Sequence, residues 1–333
     1  MYMVDKNLGF SLWLDFVERS YLQEEFGTLI SKGIVNGATS NPAIFATAIT
    51  HSLAYKEQLL LLRDKTPKEK YEAMAVEDIK TAAQKLRDSY NDKNDGYISI
   101  EVDPFLANDT EGTIAEAKRL FATISEPNIM IKIPATEAGY EAMYTLLSLG
   151  ISVNATLIFS PDQAQKCLDA MSRGLEELSK GVGLKAQAVI SVFVSRFDRL
   201  LDNKLKEKSL EPSRTGIINA AKIYAMVEDS KQKNIRTLFA STGVKGDDLA
   251  GDYYIKELLA PHSINTAPLA TIEEYIKEPS TQAKLPIDAK EIEEYFDTLE
   301  KNDIEMSRVY TQLINEGLLA FEKAFEQMLM DIA

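Results

Sequence analysis

The sequence is poor in the residues on which much enzyme chemistry relies. It holds two histidines, His51 and His262, one cysteine, Cys167, and a single tryptophan in 333 residues. The histidines lie far apart and neither has a His or Cys neighbour at ligand spacing, so a zinc site has no donors to draw on. An all-carboxylate magnesium site is the metal reading that composition leaves open. The lone cysteine cannot close an intrachain disulfide; it sits in a helical pattern, where a buried structural role is the simpler reading, and a reducing cytoplasm suits it. No G-x-S-x-G elbow and no phosphate-cradling or dinucleotide-type glycine loop is present. Acid/base and nucleophilic work therefore falls to carboxylates and lysine, and no cofactor is expected.

Long apolar runs are missing as well. The first residues interrupt their apolar side chains with Asp5, Lys6 and Asp15, which leaves no clean signal-peptide core and no membrane span. A soluble, cytoplasmic protein is the expectation. There is no basic block, and 51 acidic against 37 basic side chains give a net charge of −14. That balance argues against nucleic acid as a partner, but small phosphorylated metabolites remain open because a binding cavity needs only a few cations. With 45% hydrophobic residues, 16 Gly and 11 Pro, the composition is that of a globular protein rather than a disordered or fibrous one.

What is present is a series of short runs rich in β-branched residues: 11–17, 34–40, 97–103, 129–135, 152–159, 188–195, 236–241 and 264–268. Amphipathic helical patterns at 111–124, 141–149 and 161–178 separate several of them. Strands alternating with helices predict parallel βα units, and eight such units predict an α/β fold built as an eight-stranded parallel β/α (TIM) barrel with extra helices. Ser160-Pro161-Asp162-Gln163 supplies an N-cap, a proline at the first helical position and a capping box, so the fifth strand should end near Phe159. Without linkers or repeats, residues 1–333 read as one barrel domain. A helical insertion at about 42–96 and a C-terminal helical extension at about 288–333 account for the extra length. In that extension Leu318, Phe321, Phe325 and Met328 share one helical face, as a docked helix requires, and it is expected to cover part of the barrel mouth.

The polar residues inside the apolar strands carry the chemistry. Strand side chains alternate between faces, so Ile129, Ile131 and Ile133 turn one way and Met130 and Lys132 the other. The same parity sends Ile98, Ile100 and Val102 outward and Ser99, Glu101 and Asp103 inward; it also sends Val153, Ala155 and Leu157 outward and Asn154 and Thr156 inward. Three successive strands thus aim Lys, Glu and Asn/Thr at a common interior. A buried lysine is seldom retained for stability alone. Desolvation disfavours an ammonium and leaves some free amine, a nucleophile toward carbonyls. Glu101 with the Thr156 hydroxyl could carry the accompanying proton transfers through a water. Asp15 either adds a second carboxylate or caps the helix after it, and Thr39-Ser40-Asn41-Pro42 by itself is a turn signal.

Six segments, GATSNPAIF (37–45), DGYISIEVDP (95–104), IMIKIPATEAG (129–139), GISVNATLIFS (150–160), ISVFVSRFDRLLD (190–202) and LFASTGVK (238–245), together with LWLDFVERS (12–20), resemble the transaldolases in content and order. The resemblance implies a barrel of the class I aldolase type. It further implies Schiff-base transfer of a dihydroxyacetone unit from sedoheptulose 7-phosphate to glyceraldehyde 3-phosphate, giving erythrose 4-phosphate and fructose 6-phosphate in the non-oxidative pentose phosphate pathway. By position, Lys132 is similar to the Schiff-base lysine, Glu101 and Thr156 to the pair holding the catalytic water, and Asp15 to the acid/base of carbon–carbon cleavage. Asn41 and Asn154 match residues that bind the dihydroxyacetone moiety, and Ser191 and Arg196 match contacts to a substrate hydroxyl and phosphate. After the seventh strand the chain departs from the pattern of many members: Ser241 aligns, but the second phosphate cation falls to Lys245, two residues displaced. A Schiff-base fructose 6-phosphate aldolase, a metal-dependent barrel lyase and a non-catalytic sugar-phosphate binding barrel are the alternatives. The protein could be a monomer or a homodimer.

Overall fold

The computed structural model describes residues 8–181 and 185–333, so the Asp5 and Lys6 of the expected non-signal N-terminus lie outside the described residues. Eight parallel strands close a barrel in chain order. They are β1 (Ser11–Asp15), β2 (Gly37–Thr39), β3 (Ile98–Glu101), β4 (Ile129–Pro134), β5 (Ser152–Ile158), β6 (Ala188–Phe193), β7 (Ile235–Ala240) and β8 (Ile264–Ala267). Every expected strand is found, most a residue or two shorter than its apolar run.

The alternation of faces explains the two cores. Ile98, Ile100, Ile129, Ile131, Ile133, Val153 and Ala155 pack outward against the surrounding helices. Trp13, Met130, Val189, Leu238 and Ile264 belong to a separate cluster. Trp13 is fully buried, and its Nε1 donates to Asp95 Oδ2 at 3.0 Å; Asp95 in turn pairs with Arg236 of β7. The indole leaves no space opposite it, since a Cβ on Gly37 would stand 2.4 Å from Trp13 Nε1. Glycine is therefore required there for close approach rather than for an unusual backbone angle.

The insertion after β2 is helical, including α1 (Pro42–His51) and α2 (Pro67–Lys85). Asn41 caps α1 by accepting from Ile44 N at 3.0 Å with Pro42 at the first helical position, so the Asn-Pro pair starts a helix. Of the barrel helices, α3 (Pro161–Ser179) begins with the expected capping box: Gln163 N donates to Ser160 Oγ at 3.0 Å, and Ser160 N to Gln163 Oε1 at 3.1 Å. Cys167 is fully buried within α3, and burial pushes its thiol pKa up. Helix α4 (Ser195–Glu207) follows β6, and the chain ends in α5 (Ala289–Lys301) and α6 (Met306–Asp331). Phe321, Phe325 and Met328 are buried on the docked face of α6, with Leu318 partly buried beside them.

Two side chains depart from the expected parity. Strand β3 ends at Glu101, so Asp103 escapes the alternation; it caps a short 3-10 turn and pairs with Lys68 outside the barrel. In β5 the pairing to β6 slips between Ala155 and Ile158, and Leu157 takes a left-handed φ of 57°. The extra residue turns Leu157 away from the outer helices into the cluster shared with Phe159, Phe193 and α6. The capping alternative for Asp15 also falls: Glu18 accepts from Tyr21 N at 2.8 Å, while Asp15 closes β1.

Candidate active site

A cavity of about 210 Å³ opens at the C-terminal ends of the strands, the face on which barrel enzymes carry their chemistry. Seven of the ten residues expected from sequence line it: Asp15, Asn41, Lys132, Asn154, Ser191, Arg196 and Ser241. Register explains the convergence, because Glu101 stands beside Lys132 across the β3–β4 pair and Lys132 beside Asn154 across β4–β5.

Lys132 is only 6% exposed. Its Nζ lies 3.2 Å from Glu101 Oε2 and donates to Ser40 O at 3.2 Å. Both Glu101 carboxylate oxygens and Thr156 Oγ1 are buried without a protein hydrogen bond, so the Glu101–Lys132 contact is an ion pair of poor hydrogen-bond geometry. Buried polar atoms of this kind call for a partner. Burial raises the Glu101 pKa to about 7; the Lys132 charge pulls against that rise and the Asp15 charge adds to it. At neutral pH such a carboxyl can both take and give a proton.

Asp15 is likewise raised by burial, opposed by Lys132 and by a 2.6 Å hydrogen bond from Thr39 Oγ1. Thr39 Oγ1 also lies 2.7 Å from Thr266 Oγ1 of β8, so a hydroxyl pair orients the carboxylate. Asn154 is held at both ends: its Nδ2 donates to Ser99 Oγ at 2.9 Å, and its Oδ1 accepts from Ser191 Oγ at 2.6 Å. Asn41 spends its side-chain oxygen on the α1 cap, which leaves its amide nitrogen for a ligand.

Arg196 enters the cavity from the first turn of α4, its guanidinium over the Phe193 ring at 5.1 Å. Burial lowers its pKa, Arg199 adds to the effect and Glu316 opposes it. Ser241 adopts a left-handed φ of 55°, and its Oγ lies 3.0 Å from Ser195 Oγ at the same helix start. An arginine and hydroxyls gathered at the N-terminus of a 13-residue helix make a setting suited to an anion.

Glu101 and Thr156 lie behind Lys132 rather than in the cavity wall, and Lys245 is exposed on the loop after β7, outside the wall. Sequence reasoning gave no site role to Thr39, Phe193, Leu238, Thr266 and Phe321, all of which line the cavity. Thr39 lay within a motif already singled out and Phe321 on the apolar face of the tail; Thr266 had no local signal. Among the described residues no group of three or more His, Cys, Asp or Glu could hold a metal ion, and no helix is long and apolar enough to cross a membrane.

Comparison with known proteins finds a family and relatives that match nearly the whole chain. The family model "Transaldolase/Fructose-6-phosphate aldolase" matches residues 12–332. A protein named transaldolase from Campylobacter jejuni subsp. jejuni (strain 81-176) is 50% identical over 333 residues, covering 96% of this chain and 98% of the relative. One of the same name from Helicobacter pylori (strain 26695) is 44% identical over 321 residues, with the same coverage. With nearly the whole chain matched and the barrel closed around such a site, the chain belongs to the transaldolase/fructose-6-phosphate aldolase family.

Proposed function

We propose that this chain is a transaldolase, a transferase that moves a dihydroxyacetone unit between sugar phosphates through a Schiff base on Lys132. The observation that carries this reading is the Lys132–Glu101 pair, buried 3.2 Å apart, with Lys132 lining a cavity that has a cationic, hydroxyl-bearing corner and Glu101 set behind it. Binding alone has no use for a buried amine, which argues against a non-catalytic barrel.

In this reading Glu101 takes the ammonium proton, and the free Nζ attacks C2 of sedoheptulose 7-phosphate. Loss of water, assisted by Glu101 and Thr156, gives the iminium. Asp15 then takes the proton from the C4 hydroxyl, the C3–C4 bond breaks, and erythrose 4-phosphate leaves while the electron pair settles into an enamine on Lys132. Glyceraldehyde 3-phosphate accepts that pair at its carbonyl carbon, Asp15 returns the proton to the new hydroxyl, and water adds to the iminium to release fructose 6-phosphate and the amine. Asn41, Asn154 and Ser191 hold the three-carbon unit. Arg196 and Ser241 take the phosphate, and Lys245 serves as a second cation reaching in from its loop.

Residues 1–333 act as one unit here, since the insertion supplies Ala43 and the tail supplies Phe321 to one cavity. The single buried Cys167 suits the reducing cytoplasm in which we place the enzyme. The fructose 6-phosphate aldolase reading is separated by supplying fructose 6-phosphate with and without erythrose 4-phosphate. A transaldolase forms sedoheptulose 7-phosphate and turns over slowly without the acceptor; an acceptor-independent rate overturns the assignment.

A further inference from the structure

Phe321 is the cavity wall contributed by the C-terminal helix α6, and it stands at the reacting nitrogen: its ring centroid lies 5.7 Å from Lys132 Nζ. It is 8% exposed, and the helix around it is docked at several points. Next to it on α6, Gly317 allows close approach to the barrel; a Cβ there would stand 3.0 Å from Leu157 Cδ2 and 3.3 Å from Arg196 Nη1. One turn further on, Phe325 meets Tyr71 of α2 edge-on at 5.3 Å, and Tyr71 meets Phe45 of α1 at 5.7 Å. At the far end, the buried Lys70 of α2 donates to Ile332 O at 2.9 Å. The stretch that carries the ring, from Gly317 to Ile332, is thus docked on the barrel and on the insertion.

This position has a chemical consequence that rests on the Schiff-base reading above. Once the aldose has left, the enamine has two fates. It can attack a second aldose, or its carbon can take up a proton; water then adds to the resulting iminium, the C–N bond breaks, and free dihydroxyacetone leaves with the amine restored. The second fate needs a proton donor and water beside the enamine. A phenyl ring offers no proton and excludes water from the volume it fills. We propose that Phe321 is a specificity-determining residue that favours transfer over hydrolysis by keeping one side of the Lys132 adduct dry.

The test compares the wild-type protein with Phe321→Ala, Phe321→Gln and Phe321→Leu, supplied with fructose 6-phosphate and erythrose 4-phosphate. The readout is the ratio of dihydroxyacetone released to sedoheptulose 7-phosphate formed. Ala and Gln, which admit water, should raise that ratio about tenfold, while Leu, which keeps the site apolar, should stay within about twofold of wild type. A purely structural role would lower both products together and leave the ratio unmoved, and that result in Ala or Gln overturns the proposal. If the Ala variant fails to fold, the Gln and Leu pair decides: a rise in Gln alone supports it, and equal ratios overturn it. The wild-type arm separates the two levels, because a wild type that transfers nothing and forms no borohydride-reducible adduct sinks the Schiff-base reading itself.

Discussion

In the proposed mechanism Glu101 is the residue whose protonation the chemistry depends on most. Its pKa of about 7 arises from burial, only partly offset by Lys132, so the ionised form that relieves Lys132 of its proton is lost as pH falls through neutrality. The pH profile of kcat/KM for transfer should therefore show an acidic limb near 7, and Glu101→Gln should remove it and slow turnover about a hundredfold or more. A limb that survives Glu101→Gln would belong to Asp15 instead. Lys132→Ala should leave a folded barrel, measured by circular dichroism, with no transfer. Residual turnover near the wild-type rate would contradict the role of this amine. Both residues were legible in the sequence, because one polar side chain in an otherwise β-branched run announces its own face. Thr39 and Thr266 were not, since their pairing spans 227 residues and no local period records it.

At the scale of elements, α6 does more than close the chain. Gly317 lets it approach Leu157 and Arg196, and Leu157 is there because the β5 bulge turned it inward. Replacing Gly317 with Val should push the helix off Arg196 and raise the KM for fructose 6-phosphate several-fold, at an overpacking cost of about 1–3 kcal/mol. An unchanged KM would show that the helix and the phosphate corner are independent. The strands themselves could be read from composition and alternation, and the α3 start from Ser160 and Gln163. Parity failed where the backbone left regular strand geometry: Leu157 lies in a bulge, and Asp103 lies past the end of β3. Neither event leaves a mark in hydrophobic pattern, since both residues still follow the alternation on paper. The tail's apolar face was visible as Phe321, Phe325 and Met328, but the partner it docks on was not.

For the molecule as a whole, burying carboxyls in the barrel has a cost that depends on pH. Glu101 and Asp198 are both raised to about 7 by burial, from ordinary values of 4.5 and 3.8. Asp198 stays high although it accepts from Gly216 N at 2.9 Å and Tyr254 OH at 2.8 Å. Between those ordinary values and 7 the folded chain holds protons that the unfolded chain has released. Stability from these groups is therefore full below about pH 4 and falls as pH rises through 7, by roughly 1.4 kcal/mol per pH unit for each group within its window. Glu18, whose pKa is lowered chiefly by its hydrogen bonds from Ser52 and Tyr21 against the opposing effect of burial, acts in the opposite sense at lower pH. Thermal melts should accordingly give a higher midpoint near pH 5 than near pH 8, with a smaller difference in Glu101→Gln; a midpoint that rises over this range would contradict the assignment. The chain's overall acidic balance, 51 acidic against 37 basic side chains, says little about the interior, where Lys132 and Arg196 face the cavity. The central claim is that Lys132 forms a covalent imine with a ketose phosphate. Borohydride reduction in the presence of fructose 6-phosphate, followed by peptide mass mapping, tests it most directly: a reduced three-carbon adduct on Lys132 is the predicted result, and an adduct on another lysine, or none, would contradict it.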